Sequence, residues 1–275
     1  MKLKCATRII DLSTTKVMGI INATPDSFSD AGINFDPEKA VESALQMVDQ
    51  GADIIDIGGE SSRPGAERVS VEDELERVIP VIKLLRSRSN IPISIDTVKP
   101  GVMYKAIEVG ADIINDISAL SAPGAIEAAK ETGAAVCLMH MQGNPQSMQV
   151  NPTYGDVVTD VIHYLQQRIE NCIRAGISSD RIILDPGFGF GKTTEHNYQL
   201  FAKLSRIADM GYPLLVGVSR KSMIGNVLGK PVEQRLAGGL ALAALAAQMG
   251  IAIIRTHDVS ETYDVCKVTM ELMKY

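Results

Sequence analysis

The feature that most constrains this chain is a repeat of form rather than of residues. Eight short runs of aliphatic and β-branched residues alternate with longer segments that carry helix signals. The runs cover 16–21, 53–57, 91–95, 112–114, 134–139, 182–184, 214–218 and 252–254, and each reads as a strand buried on both faces. Between them, Asp36 and Pro37 open a helix that Gly51 stops, and Ser70 with Asp73 forms a capping-box pattern. Val157, Val158, Val161, Ile162, Leu165 and Ile169 share one face of a further helix. Helices are also expected over 194–210, from about residue 231, and after residue 257, where Asp258 and Glu261 act as a cap. Eight strand-then-helix units in roughly 250 residues match the size and pattern of a (β/α)8 TIM barrel, here one domain over 1–275. A doubly wound open sheet is the alternative, but it more often has six strands and a glycine-rich turn after the first. In this chain Asn22-Ala23-Thr24-Pro25 follows the first strand.

Composition narrows the function. Apolar residues make up 45% and charged residues 22%, Trp is absent and aromatics are 4%, so the core is aliphatic. A net charge of −6 argues against general affinity for nucleic acid or an anionic membrane. Cys5, Cys137, Cys172 and Cys266 form no CxxC pair, so zinc ligation and a disulfide scaffold are not expected, and reduced thiols fit best. With no apolar signal core after Lys2 and Lys4 and no 18-residue apolar span, the expected location is the cytoplasm.

The chemistry concentrates at the strand ends. In a barrel the C-terminal tips share one mouth. Here they are Asn22, Asp56, Asp96, Asn115, His140, Asp185, Lys221 and the pair Arg255/His257. Any one could be a turn residue or a structural hydrogen-bonder; Asp185 before Pro186 is a common turn former. Asp56, followed by Ile57-Gly58-Gly59, could instead sit inside the barrel in a structural role. Nearly every tip being polar, on aliphatic strands, points to a site. Asp96, Asn115 and Asp185 suit a heterocycle with an amino-amide edge, because a carboxylate can accept two parallel N–H bonds. Arg63, Lys221, Arg255 and His257 supply charge for an anion. A heterocycle carrying phosphates satisfies both sets, and Mg2+ fits Asn22 as a neutral oxygen ligand beside phosphate oxygens. The run Asp185-Pro-Gly-Phe-Gly-Phe-Gly-Lys192 leaves backbone that a ligand could approach, but Pro186 stands where a Walker loop needs glycine.

Four segments carry a resemblance: 18–30 (MGIINATPDSFSD), 51–64 (GADIIDIGGESSRP), 182–192 (IILDPGFGFGK) and 219–225 (SRKSMIG). In order and over essentially the whole chain they resemble dihydropteroate synthase, a pterin-binding enzyme family and sulfonamide target. Ser62 stands where that family commonly has Thr, which keeps the hydroxyl. The resemblance implies condensation of 6-hydroxymethyl-7,8-dihydropterin diphosphate with 4-aminobenzoate. It implies pterin binding by Asp96, Asn115, Asp185 and Lys221, and diphosphate binding by Asn22, Ser62, Arg63, Arg255 and His257. The aminobenzoate would lie against Phe28, Pro64, Phe188, Lys221 and Ser222. Asp96, Lys221, Arg255 and His257 would be the catalytic groups, with Mg2+ on Asn22. A pterin-dependent corrinoid methyltransferase and a catalytically silent pterin-binding barrel are the rivals; the first needs no diphosphate site. Residues 236–247, apolar all round a helix, imply a homodimer.

Overall fold

In the computed structural model, residues 1–24, 36–61, 65–66 and 68–275 are described. Eight parallel strands form one sheet: β3 (Lys16–Asn22), β4 (Ile54–Gly58), β5 (Ile93–Asp96), β6 (Ile113–Asp116), β7 (Ala135–Met139), β8 (Ile182–Asp185), β9 (Leu215–Val216) and β10 (Ile253–Thr256). The spatial order is β8-β7-β6-β5-β4-β3-β10-β9. A bridge between Leu184 and Leu214, with the Leu184 amide donating to the Pro213 carbonyl at 2.9 Å, joins the two ends into a barrel. The expected strand 214–218 thus pairs regularly only at Leu215–Val216.

Ten helices accompany the strands among the described residues: α1 (Pro37–Asp49), α2 (Val71–Arg88), α3 (Pro100–Glu108), α4 (Ala125–Thr132), α5 (Val157–Ala175), α6 (Thr194–Ala202), α7 (Leu204–Ala208), α8 (Ser222–Leu228), α9 (Leu236–Gln248) and α10 (Val259–Leu272). Their starts follow the expected chemistry. Asp36 accepts from the Glu38 amide ahead of Pro37, and Ser70 Oγ accepts from the Asp73 amide at 3.0 Å. Three expectations are corrected. The helix expected over 194–210 breaks at Lys203, whose backbone leaves the helical region. The helix expected from about residue 231 is preceded by α8, which Gly229 ends in a left-handed conformation, and by a short 3-10 turn, Val232–Gln234. Asp258 precedes α10 but caps nothing with its side chain; its carboxylate takes Arg220 and Ser219 instead.

A hairpin that periodicity alone did not reveal, β1 (Lys2–Lys4) with β2 (Ile9–Asp11), seals the N-terminal end of the barrel. Leu3, Cys5, Ile10 and Leu12 join Met18, Ile54, Ile113, Ala135, Cys137, Ile183 and Ile253 in one apolar cluster. The second and larger cluster lies between strands and helices. Asp112 ties the hairpin side to the barrel. Its carboxylate accepts from Arg86 Nη2 at 2.8 Å and the Ile93 amide at 3.0 Å. Arg8 Nε lies 2.7 Å away on the same carboxylate. Replacing Asp112 with Ala leaves two guanidinium groups without their counter-charge, a loss on the order of 3 kcal/mol. The expected outcome is a lower urea midpoint with ligand affinity at the C-terminal mouth of the barrel unchanged, because Asp112 lies at the other end of the strands.

Candidate active site

Strand side chains alternate between faces, so the residues that enter the mouth are set by those that fill the barrel floor. Met18, Ile54, Ile113, Cys137, Ile183 and Ile253 belong to the interior cluster. Stepping by twos from them puts Asn22, Asp56, Asn115, Met139, Asp185 and Arg255 on the interior face, and Ser94 leads likewise to Asp96. Asp116, one residue past Asn115, turns outward. It serves as a turn former, accepting from the Ser118 and Leu120 amides at 2.7 and 2.9 Å.

Arg255 is the hub. Its Nε donates to Asp56 Oδ2 at 2.6 Å and its Nη2 to Asp96 Oδ2 at 2.9 Å. Asn115 Nδ2 also donates to Asp56 Oδ2, at 3.2 Å. Asp56 is fully buried and thus sits within the barrel holding two of the mouth residues in place. Burial pushes the Asp96 carboxyl up, Arg255 pulls it back down, and Asp56, Glu74 and Asp116 push it up again. Asp185 Oδ1 accepts from the Gly187 amide at 2.7 Å; burial raises its pKa, while that bond and the charges of Lys221 and Arg255 oppose the rise. Lys221 is pushed down to about 8, first by burial and then by Arg255. Its ammonium lies 4.2 Å from the centre of the Phe190 ring, at cation–π distance.

Asp96, Asn115, Asp185, Phe188, Phe190, Lys221 and Arg255 line one cavity of about 20 Å³. A larger cavity of about 400 Å³ lies beside it under the loops after β5, β6 and β7, and Asp96 is common to both. The polar groups that converge on one point are those of the smaller cavity, and these mark the site. At 20 Å³ it is about water-sized. At the rim, His257 Nδ1 and Ser219 Oγ are 3.1 Å apart, and Ser222 is exposed at the start of α8. Among the described residues no group of three or more His, Cys, Asp or Glu side chains could hold a metal by itself.

The glycine-rich segment after β8 differs from expectation. Its amides are used internally: Gly187 to Asp185, Gly189 to Asn197 Oδ1 at 2.8 Å, Phe190 to the Gly187 carbonyl at 3.2 Å. A Cβ on Gly187 would sit 1.8 Å from the His140 carbonyl oxygen, and Gly187 has φ +70°. The close approach that requires glycine here is therefore made by the loop after β7, not by a ligand.

Residues 18–257 match the pterin binding enzyme family. Dihydropteroate synthase of Escherichia coli is 53% identical over 268 residues, covering 98% of this chain and 95% of that protein. This chain belongs to the dihydropteroate synthases of that family. A Yersinia pestis dihydropteroate synthase solved with a sulfonamide drug is 48% identical, has a TM-score of 0.95 and is covered over 100% of both chains. The Xanthomonas albilineans dihydropteroate synthase in complex with 7,8-dihydropteroate is 44% identical with a TM-score of 0.90, again over 100% of both chains. The methyltransferase and silent-barrel rivals find no support in these likenesses.

Within a dihydropteroate synthase, the fold brings together Asp96, Asn115, Asp185, Lys221 and Arg255 as the sequence suggested. His257 stands at the rim next to them through Ser219. Phe188 is 1% exposed and packs on Phe201 with ring centres 5.7 Å apart, so it walls the cavity from the core side. Phe28, Ser62, Arg63 and Pro64 lie outside the described residues. His140, read as a tip, turns away from the mouth because Met139 occupies the inward position; its ring packs against Tyr164 and Tyr154. Phe190 and Lys192 were not singled out, although Phe190 stands two residues from Phe188. No helix among the described residues is long and apolar enough to cross a membrane.

Asp56 gives the test of this geometry. Asp56→Asn keeps the shape but removes the charge that holds Arg255. One charge-assisted bond is worth about 1.5–3 kcal/mol, so kcat/KM for dihydropteroate synthesis should fall roughly ten- to a hundredfold. The check is steady-state kinetics with a thermal melt alongside to show that the variant is folded.

Proposed function

We infer that this chain condenses 6-hydroxymethyl-7,8-dihydropterin diphosphate with 4-aminobenzoate, giving 7,8-dihydropteroate and diphosphate. The observation that carries this is the convergence of Asp96, Asn115 and Asp185 with Lys221 and Arg255 at one mouth. Asp185 and Asn115 present acceptors to the amino-amide edge of the pterin, and Asp185 can take two parallel N–H bonds. The C–O bond to diphosphate breaks with its electron pair leaving on oxygen, and the pterin methylene becomes cationic. Asp96, with Arg255 holding its carboxylate in place, faces that carbon with negative charge. Arg255 and His257 stand on the β10 side to receive the leaving diphosphate. The donor chemistry fits Mg2+ only as a shared ion: Asn22 offers one neutral oxygen, so the substrate's phosphates would complete the set. When bound there, Mg2+ supplies charge that stabilises the departing group. The arylamine nitrogen attacks the methylene carbon, the C–N bond forms, and the proton on nitrogen leaves to solvent. The neutral amine needs no strong base, and no side chain is required as a nucleophile. Lys221, Phe190 and Ser222 border the side from which the amine enters.

The direct check is diphosphate release on mixing the protein with pterin diphosphate, Mg2+ and 4-aminobenzoate. Release should require 4-aminobenzoate and should appear with stoichiometric dihydropteroate. Release at the same rate without 4-aminobenzoate would make the protein a hydrolase instead.

We also propose a homodimer built on α9. The helix α10 covers part of α9, whose Leu242, Ala243, Ala246 and Ala247 are buried, yet Leu236, Leu245 and Met249 remain exposed, as do Val268 and Leu272 of α10. Exposed apolar side chains on two helices that pack on each other support an interface there. Light scattering should give twice the 29.6 kDa chain mass at micromolar concentration, and Leu245→Glu should give the monomer.

A further inference from the structure

Lys192 is a lysine 3% exposed, at the end of the glycine-rich segment and outside every role assigned so far. Its Nζ lies 2.8 Å from the Gly187 carbonyl oxygen, 2.9 Å from His140 Nδ1 and 3.1 Å from the Phe190 carbonyl oxygen. Three acceptors within 3.1 Å match the three N–H groups of an ammonium, one each. A neutral amine has two N–H groups and would turn its lone pair towards one of the three. Among the described residues no carboxylate lies within ion-pair distance of it, and burial pushes its pKa down to about 7, with Asp185 opposing the fall and Lys221 adding to it; the three acceptors are what favour the ammonium form. Because Lys192 donates, His140 Nδ1 must accept, which sets its tautomer with the proton on Nε2. Burial pushes the His140 pKa down to about 3, the Lys192 charge adding to that, so the ring stays neutral.

Each partner of this ammonium touches a mouth residue through one further link. Gly187, whose carbonyl takes Lys192, gives its amide to Asp185 Oδ1 at 2.7 Å. The His140 amide donates to the Asp185 carbonyl oxygen at 3.0 Å. Phe190, whose carbonyl takes Lys192, offers its ring to the Lys221 ammonium. The loops after β7 and β8 are otherwise joined by the Tyr154 hydroxyl on the Gly191 carbonyl at 2.6 Å and by Gln149 on the Gly189 carbonyl. Among the described residues, Lys192 is the side chain that joins the two loops at the level of Asp185, next to the His140 amide on the Asp185 carbonyl.

We propose that Lys192 is a positioning residue for pterin recognition: its buried ammonium fixes Gly187, Phe190 and His140 so that the Asp185 carboxylate and the Phe190 ring face the mouth. This rests on the reading of the mouth as the pterin site. Lys192 itself touches neither substrate nor leaving group. It acts on the pterin side, so its loss should separate the two substrates.

The experiment uses Lys192→Met, which keeps the length and removes all three donors. Calorimetry with the pterin diphosphate should show affinity reduced by about tenfold or more, the loss expected when a charge-assisted recognition bond is misaimed. The KM for 4-aminobenzoate at saturating pterin should change by less than about threefold. Histidine-selective 15N NMR should show the His140 Nδ1 resonance of wild type as an acceptor nitrogen, and its shift should move once the lysine is gone. A merely structural lysine would lower the melting temperature and leave pterin affinity of the folded protein alone. Should Lys192→Met not fold, His140→Phe removes one acceptor while keeping a ring against Tyr154 and Tyr164, and pterin affinity should again fall. Pterin affinity within about twofold of wild type, in whichever variant folds, overturns the assignment. A wild-type protein that binds pterin but makes no dihydropteroate would count against the proposed reaction and leave this comparison readable.

Discussion

Arg255 is the interaction on which the mouth depends. Asp56 and Asp96 stand on neighbouring strands with their side chains inside an aliphatic barrel, where two unpaired carboxylates would repel and would each lose hydration. A single guanidinium bonded to both resolves this, and its planar fork suits two acceptors at different angles. Asn115 donates a second bond to the same Asp56 Oδ2. The residues proposed for the pterin are therefore parts of one charge cluster rather than independent contacts.

Around that cluster the protein uses rigid backbone instead of side-chain bulk. The segment from Pro186 to Lys192 has the composition of a flexible loop, yet the Gly187 and Gly189 amides and the Gly187, Gly189, Phe190 and Gly191 carbonyls are bonded by Asp185, Asn197, Lys192, Gln149 and Tyr154. Its glycines permit left-handed turns and the contact with the His140 backbone. A loop bonded in this way can hold a carboxylate and an aromatic ring at constant aim while substrates exchange. Lys192, at its end, bonds the Gly187 and Phe190 carbonyls and His140 Nδ1 with one side chain.

The opposite end of the barrel follows different rules. There the hairpin β1–β2 and the bottom layer of strand side chains are apolar, and Asp112 is paired with Arg8 and Arg86 at the edge. Stability and chemistry are thus separated along the strands. This separation lets the mouth hold Lys221, displaced from its ordinary pKa, beside a carboxylate cluster without unfolding the chain.

The sequence by itself determined the barrel, because eight strand runs with helix starts between them admit few other closures. It also determined Asn22, Asp96, Asn115, Asp185 and Arg255 as mouth residues, since a period of two carries each inward from a floor position, apolar for all but Asp96, which follows Ser94. The start of each early helix was legible from Asp36, Pro37 and Ser70, whose capping is local. Other assignments required the tertiary structure. Asp56 and His140 both lie at strand ends by sequence, and only register shows one inward beneath Arg255 and the other turned towards Lys192. The break at Lys203, the short α8 and the Asp258 carboxylate drawn off to Arg220 depend on neighbours distant in sequence. So do Phe190 and Lys192: nothing in a run of Gly and Phe states where its carbonyls will point. Local propensity and strand period act within a few residues and can be read along the chain. The aim of a buried charge is set by acceptors from another loop, and these meet only when the barrel closes.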